Sequence, residues 1–432
     1  MRRRKTWKTF SILTLLGLFM SWAISSCSPN ASSQSGQSAS GVDEVEFWTM
    51  KLQPQFTEYF NQLIAQFESE NPDITVRWVD VPWADMQSKI LTAVSAGTAP
   101  DVVNLNPDFA AQLAGRNAWL ELDDRISESD RQAYLPKIWQ ANTLDGRTFG
   151  LPWYLTTNVT IYNKDLLEQA GISQPPTTYE ELAEAAEQIR ESTGKYAFFK
   201  TFVPEDSADV LQSFVQMGAE LIDEQGNAAF NTPEGRAVFQ YWTDLYQQGL
   251  LPREVLTQGH RRAIELYQAG ELAFLTTGPQ FLETVSTNAP TIAEASETSD
   301  QISGSTGKKN VAAMNVVIPR STDQPDAAVQ FALFLTNDTN QLEFAKAANV
   351  LPSTVAAAQD SYFTDVAAEA STLEKARSVS ARQLQDAEIL LPTIQDIKEL
   401  QKIVYDNLQA AMLGEKTVEQ AVEDAAIEWD ER

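Results

Sequence analysis

The sequence predicts an α/β protein of two lobes, each a mainly parallel sheet flanked by helices, with extended crossings between them. Three observations predict it. The chain has 432 residues, 43% of them hydrophobic, which is more than one ordinary core accommodates. Strand and helix patterns alternate from residue 43 onward, as right-handed βαβ units do. A long extended stretch, residues 149–162, carries adjacent aromatics and runs directly into a new helix, as a strand passing between lobes would.

The N-terminus is expected to stand outside the fold. Arg2, Arg3, Arg4, Lys5 and Lys8 form a basic region, residues 10–24 an apolar one, and Ile24-Ser25-Ser26-Cys27 closes it. This is the pattern of a secretory signal, and small residues before a cysteine match a bacterial lipobox. Residues 1–26 are therefore read as a lipoprotein signal peptide and Cys27 as the lipidation site. The apolar run is interrupted by Ser11, Thr14 and Ser21 and is shorter than the ~20 residues a membrane span needs. Residues 27–42, rich in Ser, Gly and Gln, are read as a flexible tether. Cys27 is the only cysteine, which excludes a disulfide framework or a thiolate metal site. The chain is expected to be exported to the cell envelope or periplasm and held to a membrane by that lipid alone.

The folded body opens with a strand at 42–50, a helix at 53–70 with apolar residues at helical period, a strand at 74–81, a helix at 83–95 closed by Gly97, and an apolar strand at 100–105. In such units ligands bind beyond the carboxyl ends of the strands. That rule singles out Trp48, Thr49 and Lys51 after the first strand, Trp83 after the second, and Asn106 and Asp108 after the third. Asp145-Gly146 is a turn, and residues 149–162 follow as the crossing, where Pro152 denies a backbone donor to a ladder. Trp153 and Tyr154, adjacent on an extended segment, are expected to point to opposite sides, one into the cleft and one into packing. Asn163 caps the next helix and Gly171 ends it. Helices are predicted at 180–192, 210–221, 233–248 and 263–269, strands at 196–202 and 272–277, and then the turn Gly278-Pro279-Gln280-Phe281. Residues 287–310 read as loop plus return crossing, 311–318 as a strand rejoining the first lobe, and 326–335, 394–413 and 418–429 as helices. The first lobe is thus 43–153 with about 300–340, and the second 154–299 with about 341–432.

Several of these stretches, in register, resemble the maltose-binding-like, family 1 extracellular solute-binding proteins of ABC importers. They are Phe47-Trp48, the Ala-Gly-Thr-Ala-Pro-Asp-Val-Val run at 96–103, Gly150-Leu151-Pro152-Trp153, the Tyr-Asn-Lys-Asp-Leu-Leu run at 162–167, Ala170-Gly171, the Pro-Pro-Thr-Thr-Tyr-Glu-Glu-Leu run at 175–182, and Gly278-Pro279. The resemblance covers residue 46 to the C-terminus. It implies a two-lobe periplasmic-binding-protein-like fold of type II, with a sugar, oligosaccharide or related polyol captured in the cleft. It also implies delivery to a membrane permease that works with a cytoplasmic ATPase, a monomeric protein, no cofactor, and no catalytic step. By resemblance Trp48 and Asp108 line the cleft, and Gly278 opens a helix whose free N–H groups face the ligand. The chain departs from the family at Gln280, where a Trp platform often stands and which Phe281 could replace. It departs again at Ala313-Met314-Asn315, where the family has Gly-Gly-aromatic.

The ligand-binding set is therefore Trp48, Thr49, Lys51, Asn106, Asp108, Trp153, Tyr154, Gly278, Gln280 and Phe281, with no catalytic or metal-ligating residue. Bland roles compete: Trp48 as core, Asp108 as a turn or cap residue, Lys51 as a solvated lysine, Trp83 and Trp242 as packing residues. The single histidine, His260, reads as solvated, and Arg377 and Arg382 as partners of surface acids. A formal net charge of −27, from 59 acidic and 32 basic side chains, disfavours nucleic acid and anionic membrane as partners. Two alternatives stay open: a phosphorylated polyol such as a glycerol phosphate, which needs a basic pocket, and a secreted carbohydrate-cleaving enzyme, which needs two carboxylates about 5–10 Å apart.

Overall fold

The computed structural model describes residues 42–432 except 368, 393 and 395, and leaves the side chains of Ala84 and Asp108 undescribed. The stretches read as signal peptide and tether, with Cys27, lie outside the described residues except for Val42. Among the described residues no helix is long and apolar enough to cross a membrane.

The strands, in chain order, are β1 (Asp43–Met50), β2 (Ile74–Val81), β3 (Val102–Leu105), β4 (Thr143–Leu144), β5 (Arg147–Thr148), β6 (Gly150–Thr157), β7 (Val159–Asn163), β8 (Phe274–Thr277), β9 (Ser296–Ser299), β10 (Lys309–Val317), β11 (Leu351–Pro352) and β12 (Ala387–Glu388). The two-lobe type II fold follows from how they pair. One sheet has the order β11-β6-β10-β3-β1-β2, with β12 beside β10, and a second has the order β8-β7-β9. β1 runs parallel to β2 and β3, as βαβ units require, whereas β10 is antiparallel to β3 and β6. In the second sheet both pairings are antiparallel, so the expectation of a mainly parallel sheet in each lobe is corrected there. The reason is the crossing itself. β7 leaves the first lobe at Val159, and β8 and β9 end opposite that start, at Thr277 and Ser299. A chain that departs along β7 and must come back along β9 runs antiparallel to it.

Each face of the first sheet is covered. On one, Phe47 of β1 meets Phe60 of the helix Thr57–Glu70, Phe331 of the helix Pro325–Leu335, and Trp153 of β6, all fully buried. On the other, Met50, Leu105 and Trp119 pack with Met86 and Ile90 of the helix Trp83–Ala96. Fully burying an aromatic or aliphatic side chain stabilises by about 1.5–3 kcal/mol, so these two layers hold the sheet. The second lobe has its own core, centred on Trp242, Phe214, Phe239 and Tyr405. Its helix Tyr179–Thr193 starts at a capping box formed by Thr178 and Glu181 and stops at Gly194, whose φ of 71° suits glycine.

Two boundaries differ from expectation. Residues 341–365 pack on the first lobe: β11 pairs with β6, and Phe344 and Phe363 sit in first-lobe cores. Burial of these two rings outweighs sequence proximity to the C-terminal helices. Residues 296–299, read as loop because they are polar, form β9; backbone pairing with β7 supplies what the side chains do not signal.

The sheet changes at Asn158, between β6 and β7, and again over residues 300–308, between β9 and β10. The helix Thr372–Gln383 ties these crossings together. Gln383, fully buried, accepts from the Gln301 N–H through Oε1 (2.9 Å) and donates from Nε2 to the Asn158 carbonyl (3.2 Å). Ser380 shares a 2.7 Å hydrogen bond with Thr157 at the end of β6. Asp300 forms ion pairs with Lys309 and Arg382. Arg382 thus pairs with an acid as read, while Arg377 lies over the Tyr362 ring at 3.7 Å.

Candidate ligand-binding cleft

The register places the carboxyl ends of β1, β2, β3 and β6 on one edge of the first lobe, the edge from which the chain crosses over. The carboxyl end of β8 faces it from the second lobe, beside the start of β7. The cleft lies between these edges.

On the first-lobe edge, structure and expectation part company at three aromatics and a threonine. Thr49 is fully buried; its hydroxyl donates to Asp80 Oδ1 (2.7 Å) and accepts from Trp78 Nε1 (2.8 Å), so it organises the strand end and contacts no cleft. Asp80 also accepts from the Leu52 N–H (2.8 Å), pinning the turn that holds Lys51 at a φ of 52° with its side chain exposed. Trp48 is only 6% exposed; its Nε1 donates to Glu46 (2.7 Å) and the Lys89 ammonium lies 3.9 Å over its ring. Trp48 is therefore a core residue with one face already covered. Asn106 caps the helix Pro107–Ala114, accepting from the Phe109 N–H at 2.9 Å. Asp108 falls in the first turn of that helix, with its side chain outside the described residues. Trp83, read as packing, is instead 45% exposed at the start of its helix, at the carboxyl end of β2.

Trp153 and Tyr154 do not point to opposite sides. β10 pairs Asn315 with Pro152 and Met314 with Tyr154, which leaves Trp153 as the extra residue of a β-bulge. A bulge breaks the two-residue alternation and turns successive side chains toward one face. Both rings consequently meet Phe344, Trp153 stacked at 4.9 Å and Tyr154 edge-on at 5.2 Å. Trp153 is wholly buried, so its assignment as a ligand platform is corrected to core. Tyr154 is half-buried, wedged between the cores on the two sheet faces, and burial pushes its phenol pKa well above the ordinary value.

The second-lobe edge holds a recess of about 280 Å³, whose lining includes Thr156 and Asn158 of the crossing, Asp206, Asp209 and His260, and Gly278, Gln280 and Phe281. The three residues read from the Gly-Pro turn are thus brought together. Sequence reading missed the charged residues behind them. Lys200 and Asp209 form an ion pair at 3.2 Å with side chains 15% and 18% exposed. Burial alone would raise the Asp209 pKa, but Lys200, the Ser207 hydroxyl and His260 outweigh it and hold the carboxyl below the usual range. His260 opens the helix His260–Gln268. Its backbone N–H donates to Asp206 Oδ2 (2.7 Å), and its Nε2 lies 3.2 Å from Thr277 Oγ1. It is half-buried, correcting the solvated reading. Burial lowers its pKa, with Asp209 and Asp206 opposing and Lys200 assisting. Part of the signal was present: Asp206 and Asp209 follow the strand-like residues 196–202, which include Lys200, although that segment pairs only through an isolated bridge at Tyr196. Trp242, as read, is sealed in the core. Among the described residues no group of three or more His, Cys, Asp or Glu side chains is placed to hold a metal ion.

Two α/β lobes, crossed more than once by the chain, with a recess at the crossing, define the extracellular solute-binding class. The chain belongs to the bacterial extracellular solute-binding protein family, whose pattern matches residues 53–342. A solved structure of a candidate oligosaccharide periplasmic-binding protein from Synechococcus sp. MITs9220, in complex with zinc, is 45% identical to it. That structure superposes with a TM-score of 0.83 over 90% of this chain and 98% of its own. The galactooligosaccharide-binding protein of Bacillus subtilis is 22% identical over 418 residues, 94% of this chain and 93% of the relative. The arabinooligosaccharide-binding protein of Halalkalibacterium halodurans is 28% identical over 239 residues, 54% of this chain and 52% of the relative.

Proposed function

We propose that this protein is the ligand-capturing component of an ABC import system, anchored to a membrane through lipidated Cys27. It takes a neutral sugar, oligosaccharide or polyol into the cleft, closes by bending at Asn158 and residues 300–308, and hands the ligand unaltered to a membrane permease. The observation that carries this reading is the polar recess at the crossing, in a chain whose family captures solutes and whose relatives include proteins named for oligosaccharides. Phosphorylated polyols fit poorly: among the described residues no Lys or Arg lines the recess while Asp206 and Asp209 do, and Lys200 behind them is already paired with Asp209. A glycosidase needs a carboxylic acid of raised pKa as its general acid. Asp209 is held in the opposite direction, which supports binding without turnover.

A thermal-shift screen of neutral sugars, polyols and their phosphates tests the proposal, because a ligand bound only by the folded protein raises its melting temperature. Stabilisation by a neutral saccharide, recovered unchanged afterwards, is the expected result. Stabilisation by phosphate esters alone, or cleavage of the saccharide, would replace it.

A further inference from the structure

Gln280 occupies an unusual position in the recess. It stands at the N-terminus of the helix Phe281–Asn288 yet makes no capping hydrogen bond with its side chain. The carboxamide instead folds back over Gly278, so closely that a Cβ on that glycine would collide with it. In this pose Oε1 is shielded from solvent and has no hydrogen-bond donor. A shielded acceptor without a partner is a cost to the folded state. Gln280 lines the recess, so a ligand hydroxyl there would supply the missing donor.

The rest of the recess favours the same kind of ligand. Beside His260 its lining holds one aromatic, Phe281, whose ring is met at 76° by the His260 imidazole 6.2 Å away, and the other lining side chains are polar. Asp206 and Asp209 are acceptors, while the Lys200 ammonium is taken up by Asp209. Donors are wanted, and negative charge is opposed.

We propose that Gln280 is a specificity-determining residue of the second-lobe recess. Its amide oxygen accepts from a hydroxyl of a neutral, polyhydroxylated sugar unit that is held by hydrogen bonds rather than by ring stacking, and the carboxylates beside it exclude sugars bearing an anionic group. This rests on the sugar-capture reading above.

The test is calorimetric titration of the purified protein with maltotriose, arabinotriose, galactotriose, trigalacturonate and glycerol 3-phosphate. The wild type should bind at least one neutral trisaccharide and neither anion. Gln280→Leu should weaken that binding about tenfold, equivalent to 1.4 kcal/mol, without lowering the melting temperature of the free protein. Gln280→Glu, which keeps an acceptor, should bind within about threefold of wild type. Equal affinity in wild type and Gln280→Leu would overturn the inference while leaving sugar capture standing, as would binding of trigalacturonate on a par with the neutral trisaccharides. If the wild type bound none of the neutral sugars, the functional reading itself would fall and take this inference with it.

Discussion

In the first lobe the aromatic rings near the crossing are packing material: Trp153 stacks on Phe344, Phe47 and Phe60 close around it, and Trp48 lies under Lys89. In the second lobe the corresponding edge is lined by charge and amide, with Asp206, Asp209, His260 and Gln280 gathered around a recess and Lys200 paired with Asp209 behind them. One edge is a rigid wall whose aromatic content is mostly inaccessible, with Trp83 as its exposed exception. The other is a polar surface whose partners are incompletely satisfied. The contrast shows that aromatic residues beside a cleft do not by themselves mark a stacking site. A bulge or a nearby cation decides whether a ring faces solvent or core.

The contrast can be broken most forcefully at Trp153. Trp153→Ala should destabilise the protein by about 3–5 kcal/mol, read as a lowered urea midpoint. A loss of ligand affinity with unchanged stability would return this residue to the binding surface. Next is the buried pair of the second lobe. Lys200→Met leaves Asp209 ionised and uncompensated and should cost about 3 kcal/mol in the same measurement. A neutral effect would mean that the charge is solvated through the recess.

Acidification should also weaken the protein in two stages. His260 has a folded pKa below its unfolded value near 6.5, so its contribution is complete above about pH 6.5 and is lost as pH falls through the folded value. Asp209, also lowered, contributes fully above about pH 4 and loses that contribution below it. His260→Gln should abolish the upper stage of a stability–pH profile and leave the lower one. A profile identical to wild type would contradict the assignment.

Between the lobes, Gln383→Leu strands the Gln301 N–H and the Asn158 carbonyl and should cost about 2 kcal/mol. Small-angle scattering of the free protein should show a shifted open–closed balance if the crossings bend where the sheet changes. The smallest stability effect belongs to Trp83→Ala, within about 0.5 kcal/mol, with ligand affinity reduced up to about tenfold if the exposed ring meets a sugar face.

Much of the architecture was legible in the chain. Periodicity located β1, β2, β3 and their helices, and the capping signal at Asn163 matched the observed helix start. The turn at 278–281 was legible as a feature of the edge that holds the recess. Trp153 was misread because a strand's alternation holds only while the ladder is regular, and the bulge at Met314/Asn315 is a property of two strands far apart in sequence. His260 was misread because a lone histidine carries no local sign of burial; Asp206, 54 residues earlier, binds its N–H. β9 was missed because Ser-Glu-Thr-Ser gains its strand conformation from β7.

Residue patterning therefore settled most of the helices and the strands β1–β3, that the carboxyl ends of β1–β3 share an edge, and that the chain crosses between two bodies, although the strand expected at 196–202 does not form. These are short-range consequences of hydrophobic period, turn chemistry and cap chemistry. Tertiary structure alone decided which aromatics are sealed, that the second sheet is antiparallel, and that Asp206, Asp209, His260 and Gln280 meet in one recess. Each of those outcomes depends on pairing or burial between segments distant in the chain, and no local pattern encodes which partner will arrive.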